Sequence, residues 1–205
     1  PFTEEHQHFR KMVRDFAEKD LAPHADAWEE EECFPNSVFK RAGDLGIIGA
    51  HYPVEHGGAG GDYWYSVVKA EELPRGKTAG VTMGLLVQSD MATPVISDLG
   101  SADQIEEFLK PALSGDKVAA LGISEPAAGS DVAGIKTHAR KDGGDWVING
   151  QKTFITNGTR ADFVTLLAKT DPDQGAYGCT FFLVPTDTKW YVVAKAEHKL
   201  SVGKV

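Results

Sequence analysis

The 205 residues are 41% hydrophobic and 25% charged, a composition that supports one large folded domain or two small ones rather than a disordered chain. The formal net charge of −9 argues against nucleic acid as the main partner, because phosphate backbones are bound by clustered Lys and Arg. No apolar run approaches the length of a membrane span. Since the chain starts at Pro1 without a Met, the absence of a signal peptide carries no weight.

Residues 1–116 have the apolar spacing of helices. A first helix is predicted by apolar residues at steps of three and four, which are Phe9, Met12, Val13, Phe16, Ala17 and Leu21. Pro35, a residue favoured in a first helical turn, is expected to begin a second helix that runs through Leu45. The glycine-rich stretch 56–61 predicts a loop, and Asp62 is a candidate cap for the helix after it.

The rest of this helical half is expected to be largely buried. The apolar stretch from Ala79 to Leu99 predicts a buried helix with a kink or an early end at Pro94. Residues 101–104 fit a capping box. The helix that this box opens has the clearest apolar face in the chain, made of Ile105, Phe108, Leu109, Ala112 and Leu113.

Residues 117–205 have the pattern of short strands. Lys117 to Ser124 is a short apolar run, and residues 142–145 separate two strand-like segments. Asn149-Gly150 predicts a hairpin between residues 146–148 and 152–156.

The last strands complete a β domain. Residues 162–169 are apolar on both faces and predict a central strand, and residues 180–184 predict another strand that Pro185 ends. About six short strands in this half favour a β-sandwich or barrel-like domain. The fold class predicted is therefore α+β, with an N-terminal all-α domain at 1–116 followed by a middle β domain at 117–205.

The segment from Gly122 to Asp131 is the strongest candidate site on chemical grounds. A strand runs into Glu125-Pro126, and the small residues that follow allow a ligand to approach the backbone closely. Ser130 and Asp131 add a hydroxyl and a carboxylate. Such a loop is suited to a phosphate or a flat ring, but these features alone favour a plain turn.

Three motifs in a fixed order make the assignment more specific. Residues 122–134 read GISEPAAGSDVAG, residues 148–158 read INGQKTFITNG, and residues 53–61 read PVEHGGAGG. The first resembles the acyl-CoA dehydrogenase pattern of Ser/Thr-Glu-Pro followed by Gly-Ser-Asp. The second is similar to that family's aromatic-Ile-Thr motif, and the third to its Pro-Glu-x-Gly-Gly loop. The resemblance covers the whole chain.

The resemblance implies FAD, held by the β domain against the helices. The residues implied in cofactor binding are Leu121, Gly122, Ile123, Ser124, Gly129, Ser130, Phe154, Ile155 and Thr156. Ser124 would offer its hydroxyl to the pyrimidine edge of the flavin, Phe154 would pack against the ring face, and Thr156 would hydrogen-bond near N5. Ser130 would lie where the FAD phosphate and the CoA arm of the substrate meet. The family commonly has Gly where this chain has Ala127, and we expect FAD binding to survive that change.

The resemblance also implies a reaction and partners. A Glu in a C-terminal helical domain, expected beyond Val205, would remove the α-proton of an acyl-CoA, so no catalytic base is assigned within this chain. The product would be a trans-2-enoyl-CoA, and the electrons would pass to an electron-transfer flavoprotein. The implied assembly is a homotetramer or dimer of an enzyme of fatty acid metabolism, mitochondrial in a eukaryote and cytoplasmic in a bacterium. An acyl-CoA oxidase, or a non-catalytic module that binds flavin or a partner, remains an alternative.

Other candidate residues are weaker. Met83, Val87 and Met91 recur at helical spacing, which favours core packing, while the family resemblance implies substrate contact along an acyl cavity. Asp90 beside them would make such a cavity partly polar. The seven histidines are dispersed, and the two cysteines, Cys33 and Cys179, are far apart, so neither a metal site nor a disulfide is predicted.

Overall fold

The computed structural model describes residues 2–196 and, beyond them, the backbone of two short strands at 198–199 and 203–204. Helices come first and strands follow, which confirms the α+β class. The α-helices of the described residues are α1 (Glu4–Phe16), α2 (Ala25–Glu30), α3 (Ser37–Asp44), α4 (Trp64–Glu72), α5 (Ala79–Val87), α6 (Pro94–Leu99), α7 (Ala102–Gln104) and α8 (Lys110–Leu113). The strands are β1 (Ala119–Gly122), β2 (His138–Asp142), β3 (Asp145–Asn149), β4 (Phe163–Lys169), β5 (Cys179–Pro185), β6 (His198–Lys199) and β7 (Gly203–Lys204).

Helix starts follow the capping signals in the sequence. Thr3 caps α1 in a capping box with His6, and Ser101 caps α7 in the predicted box. Tyr63 occupies the N-cap position of α4, one residue later than predicted, and the Asp62 carboxylate accepts a hydrogen bond of 2.9 Å from the Trp64 N–H, the first N–H of that helix.

Two predicted helices differ in detail from those observed. The second begins at Ser37 rather than Pro35, because residues 35 and 36 form a preceding turn whose Pro35 carbonyl accepts from the Val38 N–H. The stretch 79–99 divides into α5, a wider π turn at Gln88–Ala92, and α6, which starts at Pro94 as the proline predicts.

The main core lies among the helices and extends into the sheet. Its buried members include Phe39, Leu85 and Leu109 from the helices and Phe163 from β4. The ring of Phe108 meets that of Phe163 edge-on at 5.0 Å between centroids. The helices and the start of the sheet therefore share one apolar interior. No helix among the described residues is both long and apolar enough to cross a membrane.

The strand β4 is central, as the sequence predicts. It pairs in parallel with β1 over Phe163–Leu166, antiparallel with β5 along its whole length, and in parallel with β2 at Lys169. β2 and β3 form an antiparallel hairpin. β6 and β7 pair only with each other among the described strands.

The predicted hairpin at Asn149-Gly150 is wrong. β3 ends at Asn149, and its partner is the preceding strand β2, across the turn at 142–145. Residues 152–156 are not a strand; they lie beside the loop after β1, with the Thr153 N–H donating to the Ser124 carbonyl at 2.9 Å. Gly150 is needed for packing, because a Cβ there would overlap the side chain of Thr137.

Candidate flavin site

The loop after β1 contains a tight turn. The Glu125 N–H donates to the Ala128 carbonyl at 2.8 Å, and the Ala128 N–H donates back to the Glu125 carbonyl at 3.2 Å. Ala127, in the middle of this turn, does not adopt positive φ, so its methyl group is accommodated where the family commonly has Gly. The turn that these sequence features favour is therefore present, and neighbouring side chains connect it to the second motif.

A buried ion pair joins this loop to the second motif. Lys152 and Glu125 have side chains only 8% and 5% exposed, with Nζ 2.8 Å from Oε1. The same ammonium donates to the Ile123 carbonyl at 2.9 Å. The Glu125 carboxylate also accepts from the backbone N–H groups of Lys136 at 2.6 Å and Thr137 at 3.0 Å. Glu125 therefore organises the loop, as a carboxylate with three donors around it.

The electrostatics of Glu125 agree with that role. Burial by itself raises the pKa of the carboxyl group, but the hydrogen bonds from Lys152, Thr137 and Lys136 more than offset it and lower the pKa to about 2. Glu125 is therefore ionised at neutral pH and is held by its donors. It is not a proton acceptor for a substrate.

The aromatic-Ile-Thr motif is held in a strained turn. Phe154 and Asn157 have φ of 58° and 66°, a region that side-chain-bearing residues seldom occupy. The buried amide of Asn157 fixes the turn, since Nδ2 donates to the carbonyls of Gly84 on α5 at 3.0 Å and Ala119 on β1 at 3.1 Å. The ring of Phe154 is 64% exposed. A large exposed aromatic in a strained, well-anchored turn is typical of a ligand-binding position.

Apart from Gly122, the residues implied in cofactor binding lie at or near the surface around these two turns. Gly122 is buried, and a Cβ there would meet Val164 Cγ1 at 2.9 Å. Gly129, Ser130 and Phe154 are exposed. The half-buried members are Leu121, Ile123, Ser124, Ile155 and Thr156. The Thr153–Ser124 bond and the Lys152–Glu125 pair bring the two motifs together.

The groups present fit a flavin nucleotide. The hydroxyls of Ser124, Ser130 and Thr156 make no hydrogen bond within the described part of the chain, and neither do the N–H groups of Gly129 and Ser130. Hydroxyl and amide donors are suited to pyrophosphate oxygens and to the polar edge of a flavin ring. A Cβ added at Gly129 would meet nothing within 4 Å, so the backbone is open to a ligand there.

The residues implied in substrate contact lie along α5 and the π turn after it. Met83 and Met91 are exposed, so the core-packing interpretation is wrong for them, while Val87 is buried. Sequence reasoning missed the partner of Asp90: Lys69 of α4, whose ammonium lies 2.9 Å from the Asp90 carboxylate. No periodicity signals this pair, because Lys69 occupies an inward-facing position of an otherwise ordinary helix.

The other titratable residues that the sequence singles out have structural partners. His6 is buried; its Nδ1 accepts from the Thr3 N–H, and its Nε2 lies 2.9 Å from Asp62. Cys33 is exposed rather than buried, and Arg160 donates to its sulfur at 3.1 Å. Among the described residues, no three His, Cys, Asp or Glu side chains are grouped to hold a metal ion.

Two cavities of the described residues lie away from both motifs. One, of about 550 Å³, is lined by Gly43, Gly57 and Lys110 among others. The second, of about 400 Å³, lies between Phe16, Trp28 and neighbouring residues. The two turns lie at the surface, where Gly129, Ser130 and Phe154 are exposed.

Comparison with known proteins identifies the family. The models "Acyl-CoA dehydrogenase, N-terminal domain" and "Acyl-CoA dehydrogenase, middle domain" match residues 3–116 and 120–205. The mitochondrial long-chain specific acyl-CoA dehydrogenase of Sus scrofa is 36% identical over 203 residues, which are 98% of this chain and 47% of that protein.

Comparison with solved structures gives the same family. A glutaryl-CoA dehydrogenase from Mycobacterium smegmatis in complex with FADH2 superposes with a TM-score of 0.90 at 33% identity, covering 99% of this chain and 51% of that one. A chain of a structure described as the electron transferring flavoprotein of Acidaminococcus fermentans gives 0.93 at 30% identity, covering 100% and 54%. The chain belongs to the acyl-CoA dehydrogenase family of flavoprotein oxidoreductases, and it spans about half the length of these relatives.

Proposed function

We propose that the protein to which this chain belongs is an FAD-dependent acyl-CoA dehydrogenase and that this chain supplies the flavin-holding part of its active site. The observation that carries the proposal is the joining of the two motifs by the Lys152–Glu125 pair and the Thr153–Ser124 bond. Without those contacts, the loops would be two unrelated turns. The proposal treats 1–116 as the helical domain and 117–205 as the β domain.

In this proposal the chain binds and orients the cofactor. The hydroxyl and N–H of Ser130, with the N–H of Gly129, hold phosphate oxygens, and the Ser124 hydroxyl donates to the pyrimidine edge of the ring. Phe154 covers one ring face and excludes water from it. Thr156 donates a hydrogen bond near N5, where negative charge is best stabilised by a donor already in place. When bound, FAD supplies the acceptor for a hydride.

The overall reaction removes two hydrogens from an acyl-CoA. A proton leaves the α-carbon, a hydride leaves the β-carbon, and a trans double bond forms between the two. Glu125 cannot be the base, because its carboxylate is buried and fully engaged. We propose that a Glu outside this chain takes the α-proton. An electron-transfer flavoprotein as acceptor, a homotetramer or dimer as the assembly, and a mitochondrial or bacterial cytoplasmic location are part of the same proposal, supported by the family and by the names of the relatives.

The experiment follows flavin absorbance in the purified full-length protein under anaerobic conditions. Saturated acyl-CoAs of increasing chain length should bleach the flavin and yield the matching trans-2-enoyl-CoAs. Reoxidation by oxygen at a rate that supports turnover would identify an oxidase instead. Bound flavin that no acyl-CoA bleaches would contradict the proposal.

Thr156→Val provides the matched test of a single role. It removes one hydroxyl with little change of shape, and the rate of bleaching should fall roughly 10- to 100-fold, the scale of a hydrogen bond to a developing charge. Thr188→Val, an exposed threonine after β5, is the control and should leave the rate unchanged. Equal rates in the two variants would remove Thr156 from the proposed chemistry.

A further inference from the structure

The buried ammonium group of Lys69 forms an ion pair with Asp90, a carboxylate on the exposed side of the π turn that follows α5. The Lys69 side chain is 1% exposed, and its ammonium lies 2.9 Å from Asp90 Oδ2 and donates to Ser89 Oγ at 2.8 Å. The Asp90 side chain is 24% exposed, so solvent reaches the ion pair at Asp90 and not at Lys69. The pair lies at the π turn Gln88–Ala92, a distortion found often at functional sites.

Neighbouring polar groups fix this pair in place. The Tyr52 hydroxyl donates to the Ser89 carbonyl at 2.6 Å and lies 2.8 Å from Thr93 Oγ1. Burial raises the pKa of the Asp90 carboxyl, but the charge of Lys69 and the hydrogen bonds from Ser89, Lys69 and Ser66 together outweigh burial, and the net pKa is lowered. Asp90 is therefore an ionised hydrogen-bond acceptor whose charge is already balanced from beneath.

The surface around Asp90 is apolar. Met83 and Met91 are 44% and 51% exposed, and Leu86 between them is half-buried. Positions 83, 86 and 90 follow the steps of three and four that place residues on one side of a helix, and Met91 is the neighbour of Asp90 in the chain. On this side of α5 and the π turn, Asp90 is thus a carboxylate among apolar side chains, and a further polar neighbour from α4 is Ser66, which lies 3.0 Å from His51.

This face is continuous with the proposed flavin site. Asn157, the residue after Thr156, donates to the carbonyl of Gly84, next to Met83. At the other end, the Thr165 hydroxyl of β4 donates to the Ala92 carbonyl at 2.7 Å, next to Met91. A substrate whose reacting carbons lie at the flavin has this face within reach of its acyl chain.

We propose that Asp90 is a specificity-determining residue that selects acyl groups bearing a neutral hydrogen-bond donor, such as a hydroxyl, beyond the β-carbon. The inference rests on the proposed function and names its substrate class. Lys69 and Ser89 donate to Asp90 from its buried side, so an unsubstituted hydrocarbon laid over the exposed side of the carboxylate would displace water there and offer no hydrogen bond in its place. A carboxylate on the acyl group has no proton to donate and would face the negative end of the ion pair, because Lys69 lies on the buried side of Asp90. A hydroxyl donor replaces the displaced water, and sites built around such a bond discriminate strongly against analogues that lack it.

The test uses the full-length flavoprotein and sets of acyl-CoAs of equal length that are unsubstituted, hydroxylated at successive positions beyond the β-carbon, or carboxylated at the end. For the best-placed hydroxyl, kcat/KM should exceed that of the unsubstituted acyl-CoA about tenfold or more. The carboxylated series should be the poorest. Equal or better kcat/KM for the unsubstituted series would overturn the inference.

Variants assign the effect to Asp90. Asp90→Leu alone leaves Lys69 buried without its partner, so the double variant Lys69→Met/Asp90→Leu is the safer test. It should lose the preference for hydroxylated substrates while oxidising unsubstituted ones at least as well. Asp98→Asn, an exposed carboxylate on α6, is the control and should keep the preference. Retention of the preference in the double variant would overturn the inference, whereas a protein that oxidises none of the acyl-CoAs would overturn the proposed function itself.

Discussion

Replacing Lys152 with methionine removes the cation that joins the two motifs and keeps most of the side-chain volume. The Glu125 carboxylate would then remain buried with only its two backbone donors, and the Ile123 carbonyl would lose its donor. A buried charge that loses its partner is strongly destabilising, because its desolvation is no longer offset.

The size of the effect follows from the pKa of Glu125. Its decrease from 4.5 to about 2 corresponds to roughly 3 kcal/mol of stabilisation of the ionised form by all partners together. Loss of one of a pair of buried charges is commonly worth about 3–5 kcal/mol. We therefore expect Lys152→Met to lower the free energy of unfolding by about 3 kcal/mol, or the melting temperature by about 10 °C for a domain of this size.

The assay is thermal unfolding of the purified protein, followed by measurement of the flavin retained. Lys136→Met is the matched control, because its backbone N–H serves the same carboxylate while its side chain is exposed. Lys152→Met should melt earlier and retain less flavin, and Lys136→Met should match the parent protein. Adding Glu125→Gln to Lys152→Met should recover part of the loss, because the uncompensated charge is then gone.

Equal melting temperatures for Lys152→Met and Lys136→Met would refute this reasoning. So would a double variant Glu125→Gln/Lys152→Met whose loss is the plain sum of the two single losses. Either result would mean that the buried pair does not couple the two motifs energetically.

Two further outcomes are expected. Gly150→Ala should destabilise the protein by about 1–3 kcal/mol, since a Cβ there overlaps Thr137, whereas Gly144→Ala, with open space around it, should change the melting temperature little. Stability to urea should fall as the pH is lowered from about 4.5 towards 2, because the folded-state pKa values of Glu125 and Glu72 are depressed to about 2 and their contribution is complete only above the unfolded pKa. Stability that is unchanged across that range would contradict the pKa account.

Local signals in the sequence predicted much of the fold. The capping box at Ser101, the Asp62 carboxylate at the start of α4, the break at Pro94 and the central strand β4 are all observed. Each of these signals is local. It comes from the backbone preference of a single residue or, in β4, from apolar residues on both faces of the strand. Such signals need no knowledge of distant partners.

The predictions of local structure were wrong where contacts between residues far apart in the sequence determine the fold. Asn149-Gly150 has the local pattern of a hairpin turn, but the Ser124 carbonyl and Glu125 draw residues 152 and 153 to the other motif. Asn157 likewise fixes its turn through Gly84, 73 residues earlier in the chain. Neither contact produces a periodic pattern of residues that could be recognised in the sequence.

The candidate site also has one part that the sequence indicates and another that it does not. Its motif residues could be proposed from resemblance alone, and their roles toward FAD stay predictions. The sequence does not indicate that Lys152 pairs with Glu125 or that Lys69 pairs with Asp90, because an isolated lysine in a sequence indicates a solvated surface position. Only the structure shows both to be buried beside carboxylates.

The most direct test of the central claim is the flavin content of the purified full-length protein. The account predicts one tightly bound FAD per chain, identified after release by denaturation, and much less in Gly129→Val, which puts a branched side chain where the backbone is open to the ligand. A well-folded full-length protein that takes up no flavin would contradict the account.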